Sequence, residues 1–223
     1  MTHEILQNTP YGGEIHILTD TADLDALPVA GRELLTDRQL EQFRDFPGAL
    51  LTLAETADVP YVAAWLRALA QAPECRLEVC LTTYVDPLVL VRYMANDKWA
   101  PALSFQATHD LPDPTPTLLR RIYELIGRIS FDGYGYAGGL LCPPAPYPYL
   151  GDYDEWRDED MPDYAGFMSF YESWTGDLLL VNDEGQVGWW VHDNADKCRL
   201  IGSLETVLPA LFTTLGENRP FEP

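Results

Sequence analysis

Seven carboxylates crowd into Gly151–Asp163, which reads Gly-Asp-Tyr-Asp-Glu-Trp-Arg-Asp-Glu-Asp-Met-Pro-Asp. Carboxylates at such density suggest cation binding first. Counted from Asp152, five of them fall at positions 1, 3, 7, 9 and 12, which echoes a calcium loop. The sharp turn of such a loop needs glycine at position 6, where this chain has Arg157, and position 12 is Asp163 in place of glutamate. The segment is therefore read without a metal or any other cofactor. Its chemistry suits contact with a protein. Tyr153 and Trp156 would supply adhesive area, and Asp152, Asp154, Glu155, Asp158, Glu159, Asp160 and Asp163 would attract a basic partner.

The other reactive side chains give weaker patterns. His192-Asp193 follows two tryptophans and could form an acid–base pair. Neighbours in a strand point to opposite faces, so Asp193 is not expected to orient the ring. Ordinary hydrogen bonding is the preferred reading, both here and for His109-Asp110. Asp132–Gly139 is rich in Gly and Tyr, yet no Lys-Ser/Thr follows it and it does not open a helix as a dinucleotide loop does. The common hydrolase signatures are absent from the sequence. The chain is thus expected not to be an enzyme. The alternatives are an enzyme or small-molecule binder with a dispersed site in the Gly/Tyr-rich middle, or an adaptor domain.

Charge restricts the partners. Thirty-five acids against 14 bases give a formal charge of −21 over 223 residues. Such a surface repels nucleic acid and anionic membranes. The imbalance is steepest in residues 141–223, with 16 acids and 4 bases. Four cysteines (Cys75, Cys80, Cys142 and Cys198) show no CxxC spacing and read as free thiols. The first residues carry no basic, apolar leader pattern, and no apolar run reaches about 18 residues, so a cytoplasmic location is expected.

The elements that must hold these residues suggest an α+β fold, with a mostly antiparallel or mixed sheet packed with helices and a C-terminal β-hairpin followed by a helix. Strands are expected at Glu14–Leu18, Ala49–Leu53, Arg76–Thr83 and Ala102–Thr108. Helices are expected over Asp37–Asp45, capped by Thr36, over Pro60–Ala72, from Asp86-Pro87 to Met94, and from Thr115-Pro116 to Ile126. Cys142–Pro148 holds four prolines and reads as a long connection. Asp177–Val181 and Gln186–His192 form the hairpin around a turn at Asn182–Gly185. The closing helix runs from Ser203 to Leu215, where Pro209 either kinks it or marks its first turn. The chain is one domain, or two lobes (1–140 and 164–223) joined by 141–163.

Gly176-Asp177-Leu178-Leu179-Leu180, the Asn-Asp-Glu-Gly turn, Trp189-Trp190-Val191-His192-Asp193 and the closing helix together resemble the C-terminal half of the SUKH superfamily. Val59-Pro60-Tyr61-Val62-Ala63-Ala64-Trp65-Leu66 echoes the N-terminal signature of that family. Many bacterial SUKH members are immunity proteins against toxins. The resemblance, which covers about a quarter of the chain, implies an α+β binding protein without catalysis. Joined to the charge, it implies an immunity protein that neutralises a basic toxin domain by direct binding.

Overall fold

A computed structural model describes residues 4–7, 13–71, 74–81, 88–95, 98–99, 102–103, 111, 113, 115–127, 129–130, 139–146, 162–173, 175–217 and 219–223. The fold is α+β, and the chain divides into two compact units, Met1–Gln106 and Ala107–Pro223.

In the first unit, β1 (Glu4–Gln7) and β2 (Glu14–Leu18) are followed by a 3-10 turn (Thr21–Ala26) and four helices: α1 (Val29–Glu33), α2 (Asp37–Arg44), α3 (Phe46–Thr56) and α4 (Pro60–Leu69). β3 (Glu74–Leu81), β4 (Leu88–Ala95), β5 (Lys98–Trp99) and β6 (Ala102–Leu103) complete it. The sheet is antiparallel in the order β1-β2-β3-β4-β6, with β5 also on β4.

Strand alternation sorts the residues of this sheet. Leu77 pairs with Leu18 and Val91, and Val79 with His16 and Val89, so these share one face. Gly31 of α1 lies against that face, where an added Cβ would stand 3.4 Å from Val79 and 3.7 Å from Leu81. Thr36 caps α2 reciprocally with Gln39, whose side-chain amide also donates to the Val89 carbonyl at 3.4 Å. The opposite face carries Arg76, Glu78, Cys80 and Arg92. Glu78 accepts from Arg92 Nε at 3.0 Å and Nη2 at 3.3 Å, and from Arg76 Nε at 2.7 Å. A fully buried arginine needs such a forked partner.

Three expectations are corrected here. Ala49–Leu53 is helical, inside α3, because Pro47 sits in the first turn, where no N–H is required. Leu88–Met94 is strand, because pairing with β3 from Cys80↔Leu88 to Glu74↔Met94 overrides the Asp-Pro helix signal. The proline-rich stretch contributes to a strand, β8, described next.

The second unit holds α5 (Thr117–Ile126), β7 (Ile129–Ser130), β8 (Gly139–Pro146), β9 (Met168–Glu172), β10 (Leu178–Val181), β11 (Gln186–Trp190), β12 (Arg199–Ser203) and α6 (Leu204–Glu217). Strands β8 to β12 form an antiparallel sheet in chain order. β8 lies at its edge, the place where prolines are tolerated. All four residues of β10 are buried. On one face Leu178, Leu180 and Trp190 cluster with Tyr164, Phe167 and Cys198. On the other, Leu179 pairs with Tyr171 and Trp189, and Phe221 packs on those two rings at centroid distances of 6.2 and 5.9 Å. α6 buries Val207, Leu208, Leu211, Phe212 and Leu215. Tyr123 of α5 donates to the Phe170 carbonyl at 3.2 Å. Among the described residues, no helix is long and apolar enough to cross a membrane.

Candidate binding surface

Register defines the end of the second sheet where charge gathers. Pro146, Met168, Val181, Val187 and Gly202 form one row across the five strands. Just beyond this row lie the Asn182–Gly185 turn and the start of α6. The chain leaves the row at Pro146 and rejoins it at Met168.

Local chemistry builds that end. In the turn, Gly185 takes φ 79°, and the Asn182 side chain accepts from Gln186 N at 2.8 Å. This leaves Asp183 and Glu184 outside, both exposed. Leu204 N donates to the Gly185 carbonyl at 2.9 Å, tying the start of α6 to the turn. Glu205, exposed in the first turn of α6, is held below the usual carboxylate range by hydrogen bonds from its own backbone N–H and from Ser203. Within residues 162–206 the only bases are Lys197 and Arg199, at the opposite end of the sheet. Asp183, Glu184 and Glu205 are thus three exposed carboxylates at this end.

Of the residues that the sequence selects for partner contact, Asp163 lies in the described part. It is exposed, and its Oδ1 accepts from Ala165 N at 3.0 Å. Asp152, Tyr153, Asp154, Glu155, Trp156, Asp158, Glu159 and Asp160 lie outside the described residues, as do Asp132–Gly138 of the Gly/Tyr-rich stretch and His109. Sequence reasoning did not single out Asp183, Glu184 and Glu205, which share one end of the second sheet. The hairpin turn and the helix cap were both visible, but their shared end of the sheet follows from β12, which was not foreseen.

The opposite end holds a polar cluster. His192 Nδ1 is 3.0 Å from Asp177 Oδ1, and its Nε2 is 2.9 Å from Asp193 Oδ2. The expected divergence of His192 and Asp193 is thus corrected. β11 ends at Trp190 and the pair lies in a turn, where strand alternation no longer applies. Asp177 is a partner that the sequence reading missed. The register Leu178↔Trp190, extended outward, sets His192 across from Gly176, which has φ 91° and lies against the imidazole. The two motifs of the resemblance, Gly176-Asp177 and His192-Asp193, meet here. Thr175 Oγ1 donates to Asp177 Oδ2 at 3.0 Å, and Ser173 Oγ is 2.8 Å from Thr175 Oγ1. The hydroxyls thus form a chain that ends on the carboxylate and not on the ring. A nucleophile activated by histidine needs the reverse order.

Cys75, Cys80 and Cys198 are free thiols. Burial raises the pKa of each, that of Cys80 to about 12. Among the described residues, no group of three or more His, Cys, Asp or Glu side chains is arranged to hold a metal ion. Comparison with family models, characterised proteins and solved structures returns no match.

Proposed function

We propose that this chain is a binding protein that neutralises a basic protein partner, a bacterial toxin domain, by direct contact and without catalysis. The observation that carries the reading is the acidic end of the second sheet. Asp183, Glu184 and Glu205 stand there, at the end where the chain leaves β8 at Pro146 and rejoins the sheet at Met168. A basic protein that acts on phosphate would meet this surface with the patch it uses for its substrate. Carboxylates fixed on a hairpin turn and a helix start lose little freedom on binding, and they attract the partner before contact. The meeting of the SUKH-like motifs around His192 supports the same reading. Free thiols suit a reducing compartment and support a cytoplasmic location.

The experiment pairs the full chain with the product of an adjacent toxin-like gene. Co-expression should restore growth, and purified components should associate at a rate that falls about tenfold or more as salt is raised from low to high. The triple variant Asp183→Asn, Glu184→Gln, Glu205→Gln should slow association while leaving the fold intact. Absence of both binding and rescue would sink the proposal. Association that ignores salt would remove the acidic end from it.

A further inference from the structure

One register row crosses four strands on the face of the second sheet that carries Leu179. Tyr171 of β9 pairs with Leu179 of β10, Leu179 with Trp189 of β11, and Trp189 with Arg199 of β12. Paired residues share a face, so two aromatic rings, a leucine and a guanidinium stand in line. Residues 221–223 lie along this row. Phe221 meets the Tyr171 ring at a centroid distance of 6.2 Å and an angle of 70°, and the Trp189 ring at 5.9 Å and 60°. Such edge-on and tilted contacts are those that aromatic rings prefer. Two residues on, the Pro223 carbonyl accepts from Arg199 Nη2 at 3.2 Å. The Phe221 backbone also hydrogen-bonds to Tyr171.

The segment is held as a bound peptide is held, and not as a strand of the sheet. Residues 219–223 belong to no helix or strand, and the ladder from β8 to β12 is complete without them. Phe221 is buried and Pro220 half-buried, whereas Arg219, Glu222 and Pro223 are exposed, as is Arg199. One aromatic side chain thus anchors the segment, and hydrogen bonds at its two ends set its direction. Upstream, Arg219 N donates to the Thr214 carbonyl at 3.1 Å, which ties the chain to the end of α6 before the segment begins. Lifting residues 220–223 therefore breaks no ladder of the sheet and no turn of the helix.

We infer that the row Tyr171–Leu179–Trp189–Arg199 is a peptide-binding seat, which this chain fills with its own residues 220–223. The occupant defines the chemistry of what can replace it. That is an extended segment of a partner protein, with a bulky aromatic residue followed two positions later by an available backbone carbonyl. The ring enters between Tyr171 and Trp189, and Arg199 holds the carbonyl. A second copy is a poor source of the segment, since two chains of formal charge −21 repel each other. The tethered residues compete at high effective concentration, so they exclude weak peptides and yield to tighter ones. The seat uses none of the carboxylates at the acidic end of the sheet, so its failure leaves the proposed function standing.

An NMR titration of the full chain with the synthetic peptide Arg-Pro-Phe-Glu-Pro, the sequence of residues 219–223, tests it. Phe221→Ala vacates the seat and should bind the peptide about tenfold or more tightly than the wild-type chain does, with the Trp189 indole signal shifting on binding. Alanine in place of the peptide's phenylalanine should abolish binding. Arg199→Gln in the Phe221→Ala background should weaken it severalfold. Equal affinity of the two chains, no binding to either, or binding that ignores the aromatic residue would overturn the seat. Dimerisation of the wild-type chain that Phe221→Ala abolishes would make the occupant a second copy and overturn the partner assignment. Hydrogen exchange on the wild-type chain decides even where the variant does not fold. The Phe221 amide should exchange about tenfold or more faster than that of Leu179, through an opening that leaves the sheet closed. A Phe221 amide that exchanges only together with the amides of β10 would make the segment part of the core and overturn the proposal.

Discussion

Gly188 matters for what it lacks. Its neighbour across the hairpin is Leu180, and the buried ring of Tyr164 lies directly over it. A Cβ at this position would overlap that ring. Tyr164 cannot move aside freely, since its hydroxyl donates to the Trp189 carbonyl at 3.2 Å and its ring packs edge-on against Phe167 at 5.2 Å. Gly188→Ala should therefore destabilise the second unit by about 1–3 kcal/mol through overpacking. Urea unfolding checks this, and a loss below about 0.5 kcal/mol, the usual effect of a surface change, would mean that the ring relocates at little cost. The same residues show why part of the site was hidden in the sequence. A glycine between Val187 and Trp189 reads only as a weak strand position, and Asp177 reads only as the start of one. The packing of Tyr164 on Gly188, and of His192 beside Asp177, arises from hairpin register, which relates residues far apart in the chain.

Among the elements, those with a strong local signal were legible. α2 declares itself through Thr36, α4 and α5 through apolar residues at helical spacing, and β3 through alternation. Elements whose state depends on partners were not. Leu88–Ala95 carries a helix-start signal and becomes strand because β3 offers it a ladder. β9 and β12 are short, and their place in the sheet is set by β10 and β11. α6 settles a choice that its sequence left open. It begins at Leu204, so Pro209 is an interior residue and not a first-turn one. The helix continues beyond it, held by the burial of Leu211, Phe212 and Leu215. Proline there removes the N–H that would bond to the Glu205 carbonyl and crowds the preceding turn, at a cost of about 3 kcal/mol relative to alanine. Pro209→Ala should thus raise the stability of the second unit by about 1–3 kcal/mol, read as a higher urea midpoint with unchanged helical circular dichroism. A lower midpoint would show that the ring of Pro209, which is half-buried, contributes packing that outweighs its backbone cost.

Across the whole molecule, protons shape stability as well as charge. Cys80 in the first unit is raised from 9.0 to about 12, by burial first and by the Glu78 carboxylate second, with Arg92 opposing. Cys75 is also raised by burial, as are Cys198, Tyr164 and Tyr171 in the second unit. In the unfolded chain these groups ionise at their ordinary values, near 9 for thiols and 10 for tyrosines. Above about pH 9 the unfolded state therefore binds fewer protons than the folded state, and stability falls as pH rises. The contribution of Cys80 is complete below its unfolded value and is lost between about pH 9 and 12. Self-repulsion in a chain already at −21 adds to the decline, so the slope alone does not isolate the thiol. Comparison with Cys80→Ala does. Under reducing conditions the wild-type urea midpoint should hold level up to about pH 9 and then fall, and the variant should fall less steeply over the same interval. Equal slopes would mean that Cys80 ionises in the folded protein as it does in the unfolded chain, and that the face it shares with Glu78 and Arg92 is open to water at alkaline pH.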